Sequence, residues 1–149
     1  MSNWKPIIEP LVRTAKNTAL LDAAQGLAAS RGEDDPLPSL ITKVVARIRS
    51  AISPGNALDT DATKIPNSLE ALALGMIVRE VKGYLEVDLS EFEKQQMRDD
   101  ASWLNRMTDE KLRFEVPDTS DGNATMQAQP TPAITIKTRN FTERTMDGV

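Results

Sequence analysis

The fold this sequence predicts is a small, mainly α-helical body, like a four-helix bundle, with a short β element and an extended C-terminal arm. Three observations predict it. Between Thr18 and Met107, apolar residues recur at helical spacing and are punctuated by cap and stop signals. From Lys111 to Val116 the pattern switches to alternation, with Leu112, Phe114 and Val116 on one side, as in a short half-buried strand. From Pro117 onward, Asp118-Thr119-Ser120-Asp121-Gly122-Asn123-Ala124-Thr125 offers almost nothing to bury. The expected organisation is therefore a body over 1–116, a linker over 117–132 and a β-like arm over 133–149.

Pro6 and Pro10 limit any regular helix between Trp4 and Val12. Trp4, Ile7 and Ile8 are read as an extended lead-in that lays apolar groups on a neighbouring subunit. Thr18 to Ala29 is rich in alanine and leucine, with Asn17 or Thr18 as cap and Gly32 just beyond the end. Asp35-Pro36-Leu37-Pro38 then opens a second helix with proline in its first turn. Ile41, Val44, Val45, Ile48 and Ile52 form one apolar stripe on it, and Ser53-Pro54-Gly55-Asn56 ends it.

Ala57 to Ile65 reads as a connection, and Pro66 starts a third helix with Asn67 or Ser68 as cap. This helix is apolar on most sides from Leu69 to Val78, so it is expected at the centre of the body, with Gly75 admitting a close partner helix. Ser90-Glu91-Phe92-Glu93 is a capping box, in which side chains and backbone donors satisfy each other. The helix behind it reaches about Met107, with Phe92, Met97, Trp103, Leu104 and Met107 as its apolar set and Trp103 assigned to the core.

The chain has no cysteine and no histidine. Disulfides, thiolate nucleophiles, Cys/His zinc sites and histidine-based triads are thereby excluded. A net charge of −4 is unsuited to general nucleic-acid binding, which draws its affinity from a basic field. No apolar run approaches the roughly 18 residues that cross a bilayer, and residues 1–30 lack a signal peptide's basic-then-apolar order. A soluble product, intracellular when made and with no membrane partner, is expected.

Asp99 and Asp100 are adjacent carboxylates, but adjacent helical positions diverge by about 100° and converge poorly on one atom. Glu93, Gln96 and Asp100 share a face better, and that face reads as solvated. No catalytic, cofactor-binding or metal-binding residue is expected. Lys43, Arg47 and Arg49 stand in a helix without acids, where they can touch DNA phosphates or pair with acids on another subunit or with Asp59 and Asp61. Ile134, Ile136 and Phe141 lie behind the linker. They either order on a partner, as segments short of burial area do, or fold back to pair with Leu112–Val116.

The order of these signals resembles a known family. Asp35-Pro36-Leu37-Pro38 followed by Ile41-Thr42-Lys43-Val44-Val45-Ala46-Arg47-Ile48-Arg49 is similar to the start of tailed-phage head–tail connector proteins. Ala62-Thr63-Lys64-Ile65-Pro66-Asn67-Ser68-Leu69, Arg98 to Met107 and Glu110-Lys111-Leu112-Arg113-Phe114 fit the same group. These are the adaptor or head-completion proteins of long-tailed phages, with Mu-like relatives. The resemblance covers roughly Ala15 to Pro117 and rests on pattern and order.

It implies a virion protein of the phage neck, without catalytic residues, forming a dodecameric homo-oligomeric ring beneath the portal protein. Such a ring would extend the DNA ejection channel without sequence-specific binding and dock a stopper or tail-terminator protein. It also implies a C-terminal segment that grips the portal, although the tail here matches no motif residue by residue. The rival readings are another neck component, a DNA-binding regulator using Leu37–Ile52, and an enzyme working with carboxylates and magnesium.

Overall fold

The computed structural model describes residues 2–14 and 16–118. In chain order it contains β1 (Trp4–Pro6), α1 (Glu9–Val12), α2 (Thr18–Arg31), α3 (Pro36–Ile52), β2 (Lys64–Pro66), α4 (Glu70–Tyr84) and α5 (Glu91–Asp109). The predicted mainly helical body is what the chain forms. Its four expected helices are α2 to α5, and α1 adds a single turn.

Three helix ends have a legible reason, whereas the expected caps Asn17 before α2 and Asn67 or Ser68 before α4 make no capping bond, and Asn67–Leu69 form a 3₁₀ turn ahead of α4. Asp35 caps α3 by accepting from the Leu37 N–H at 3.0 Å, and Pro36 occupies the first turn, where no N–H is needed. Ser90 and Glu93 complete the reciprocal capping box at the start of α5. Gly32 ends α2 in the left-handed region, where the Glu33 N–H reaches back to the Ala28 carbonyl at 2.9 Å. Glu86 and Lys111 take the same left-handed position after α4 and α5, with Val87 and Leu112 closing the equivalent bonds. Neither is glycine, so these two stops could not be read from residue type.

α3 is the hub. It packs against α2, α4, α5 and β2. Leu37, Ile41, Val44, Val45, Ile48, Ala51 and Ile52 are all buried along it. Burying such side chains contributes roughly 1.5–3 kcal/mol each. The expectation that α4 is the central element is corrected: it buries Ala73, Met76, Ile77 and Val81, but leaves Ala71 exposed and Leu72, Leu74 and Val78 half-buried. Apolar residues all round a helix do not bury it all round when partners cover only one side. Gly75 is corrected as well. A Cβ there would meet only the Arg79 guanidinium, at 3.5 Å, so no helix makes a close approach at that position.

β1 and β2 pair antiparallel, Trp4 opposite Pro66, Lys5 opposite Ile65 and Pro6 opposite Lys64. The Asn67 N–H extends the ladder to the Asn3 carbonyl at 3.0 Å. The expected lead-in role of Trp4 and Ile7 is therefore corrected. Both are buried in the chain's own core, and only Ile8 remains open, at 49 % exposed. The hairpin-like pairing, invisible in two three-residue strands flanked by prolines, holds the N-terminus down on α3.

The segment after α5 forms no strand, in contrast to the strand expected over Lys111–Val116. Its backbone groups are met by side chains. The Asn56 amide donates to the Leu112 carbonyl at 2.6 Å and accepts from the Phe114 N–H at 2.7 Å. The Trp4 indole donates to the Glu115 carbonyl at 2.5 Å, and Asn3 donates to that of Val116 at 3.3 Å. Leu112 and Phe114 rest against the core, Val116 is exposed and Pro117 is buried, so the body runs one residue past the expected boundary.

Candidate functional site

The basic residues of α3 do not form one open patch. Arg49 turns inward: its guanidinium donates to the carbonyls of Asp59 at 2.7 Å, Asp61 at 3.1 Å and Lys64 at 2.6 Å. It also lies 5.7 Å from the Trp4 ring centroid. Burial pulls its pKa below the ordinary value despite the nearby charges of Asp59 and Asp61. Arg49 is thus a structural clamp on the 59–64 loop, which corrects its place on a DNA-facing or subunit-facing basic face. Asp61 in turn is held below the usual carboxylate range, mainly by the Thr63 hydroxyl and then by the Thr63 N–H.

Lys43 pairs with Glu80 of α4 at 2.8 Å while its own side chain stays largely in solvent. Arg47 lines a cleft of about 350 Å³ between α3, α4 and α5, together with Met76, Leu89, Met97 and Leu104. The Arg79–Asp100 ion pair borders the same cleft, with the Arg79 side chain only 9 % exposed. Lys82 and Glu93 make a second bridge from α4 to α5. The Lys82 ammonium and the backbone at Ser90 hold Glu93 down to about 2. The Glu93–Asp100 face is thereby corrected from a solvated strip to the electrostatic seam between two helices.

Asp99 accepts from Gln95 at 2.9 Å, one turn away on α5, so the adjacent aspartates serve different partners. Among the described residues, no group of three or more acidic side chains is placed to hold a metal ion. No described helix is long and apolar enough to cross a membrane.

The features that stand out are apolar. Phe92 is 71 % exposed on α5, and Trp103, expected in the core, is 37 % exposed with the Arg106 guanidinium 5.3 Å from its ring centroid. The cause is helical phase. Phe92 and Trp103 are eleven residues apart, within about 20° of each other around the helix, whereas Leu104 lies about 100° away on the buried side. Leu104 and Met107 fill the core and leave Trp103 at the edge. Met97 opens on the other flank at 49 % exposed. Phase sets Phe92 and Trp103 apart from Leu104, but not Met97, which lies within about 20° of Leu104 around the helix and is nonetheless open.

A second groove, of about 340 Å³, lies between the end of β1, α3 and the 62–63 turn. Ile7 and Ile8, Pro38, Ile41 and Val45, and Ala62 form its walls. No sequence signal pointed to it, because its walls come from three separate stretches brought together only by folding. Ile134, Ile136 and Phe141 lie outside the described residues. Compared with protein families, curated proteins and solved structures, the chain matches none of them.

Proposed function

We propose that this chain is a structural head–tail connector of a tailed phage. It is an adaptor that assembles as a homo-oligomeric ring under the portal protein, extends the DNA channel and offers a docking surface to a stopper or tail-terminator protein. The observation that carries this reading is Phe92, 71 % exposed on a body whose core is already filled. Met97 and Trp103 on the same helix and Ile8 beside β1 are also open to solvent. Exposed apolar side chains mark protein-binding surfaces when they share one face, as Phe92 and Trp103 do on α5. The resemblance of the Asp35–Phe114 pattern to connector proteins supplies the class of partner. Contacts in a closed ring are heterologous, one patch meeting a different patch on the next copy. α5 and the β1 side of the body provide two such patches.

The test is to mix full-length protein with a portal protein from the same genome and to measure mass by light scattering and shape by electron microscopy. A ring of copies seated on the portal is expected. The Phe92→Ser/Trp103→Ser variant should keep its helical circular dichroism and fail to assemble. A chain that stays monomeric and leaves the portal bare would reject the proposal.

A further inference from the structure

The groove walled by Ile7, Ile8, Pro38, Ile41, Val45 and Ala62 has no occupant from residues 2–118, yet its lining is largely apolar. Its floor belongs to α3, where Val45 is 3 % and Ile41 9 % exposed, while Ile8 stands open on its rim. We propose that this groove receives the Ala133–Thr138 segment of a second copy of the chain. Among chain assemblies this deepens the connector reading, on which it rests for supposing that copies assemble at all.

Three features select that occupant. In an extended segment, Ile134 and Ile136 fall on one side about 7 Å apart, with Thr135 and Lys137 on the other. Such a segment carries two apolar groups to a cavity and keeps a polar back. Second, the segment is basic, with Lys137 and Arg139 on its outward side, and the surroundings of the groove are acidic, with Glu9, which also holds Arg13, lining it and Asp61 next to its Ala62 wall.

Third, the direction in which the body ends favours a neighbour. Glu115 lies beside Trp4 and Val116 beside Asn3, so the chain passes β1 in the reverse sense, away from Ile7 and Ile8. To fill its own groove the chain would have to double back after Asp118. Extended, the stretch from Asp118 to Ile134 spans at most roughly 55 Å, ample to reach an adjoining subunit.

The chain's lack of cysteine makes the test direct. Full-length protein carrying Ile8→Cys and Ile136→Cys is oxidised and run under denaturing, non-reducing conditions. A ladder of covalent dimers and higher multimers is expected, where either single-cysteine protein can give at most a dimer and a Phe92→Cys/Ile136→Cys control gives no ladder. A cross-link that closes only within monomers would overturn the proposal, because the arm would then cover its own body. Absence of any cross-link would overturn it too.

Ile136→Asp, a change outside the helical body, should raise the concentration needed for self-association by about tenfold or more. An unchanged value would count against the groove. Rings that form on the portal without the Ile8–Ile136 cross-link would sink this assignment and leave the connector reading standing. Cross-linked multimers that ignore the portal would do the reverse.

Discussion

At the scale of single residues, the side chains that organise this protein are polar ones turned inward. Arg49 joins three loop carbonyls and the face of Trp4, so it fastens the 59–64 loop and the N-terminal strand to α3 at once. Arg49→Ala should lower stability by about 2–3 kcal/mol in urea denaturation, since hydrogen bonds to a charged donor are among the stronger ones. Arg49→Lys should recover little, because an ammonium lacks the planar fork that serves several carbonyls. Glu93 carries a pH signature. Its pKa falls from the usual 4.5 to about 2 on folding, so its pairing stabilises the body fully above about 4.5. That contribution disappears as pH drops toward 2. Glu93→Gln should therefore flatten the acid limb of the stability profile between those values while leaving the slope near neutrality unchanged; an unaltered acid limb would remove Glu93 as its source.

At the scale of elements, two glycines invite opposite expectations. Gly75 sits inside α4 with nothing nearer to an added Cβ than 3.5 Å, so Gly75→Ala should stabilise the body by about 0.5–1 kcal/mol through helix propensity alone, read as a higher thermal midpoint. Gly55, in the 3₁₀ turn Ser53–Gly55 after α3, faces the Lys111 carbonyl, where an added Cβ would lie 2.6 Å from the backbone oxygen. Gly55→Ala should cost about 1–3 kcal/mol, because backbone must move to admit it. The same pairing explains why the segment after α5 is not a strand. Its approach to Gly55 and its bonds to the Asn56 amide replace a ladder with side-chain contacts. Alternation places Leu112 and Phe114 against the core but not Val116, which is exposed, and it cannot say whether a backbone partner is available. The helices were far more legible, since Asp35, Ser90 and Gly32 act on their own neighbours within a few residues.

At the scale of the whole molecule, the described helices all end by Asp109, and the described part of the chain makes its last contacts with the body at Glu115 to Pro117. Ending the chain after Asp118 should preserve the helical circular dichroism and the cooperative melt, while removing self-association and, under the proposed function, incorporation into heads. Loss of the melt on truncation would instead assign residues 119–149 to the stability of the body. Cutting two residues earlier, before Pro117, is a harsher change, because Pro117 is buried.

By itself the sequence determined the class of the fold, the four long helices, the end signals at Asp35, Ser90 and Gly32 and the exclusion of all cysteine and histidine chemistry. Those properties depend on residue type and on spacing within a few turns, so they can be read along a line. The tertiary structure decided which apolar residues are dry. Trp4 and Ile7 are sealed by β2 and α3, whereas Phe92 and Trp103 are left in solvent. It also decided that Arg49 is a clamp, that α3 is the hub, and that three distant stretches meet as a groove beside Ile8. Burial is a property of what lies opposite a side chain, and what lies opposite is set by packing between segments far apart in the chain.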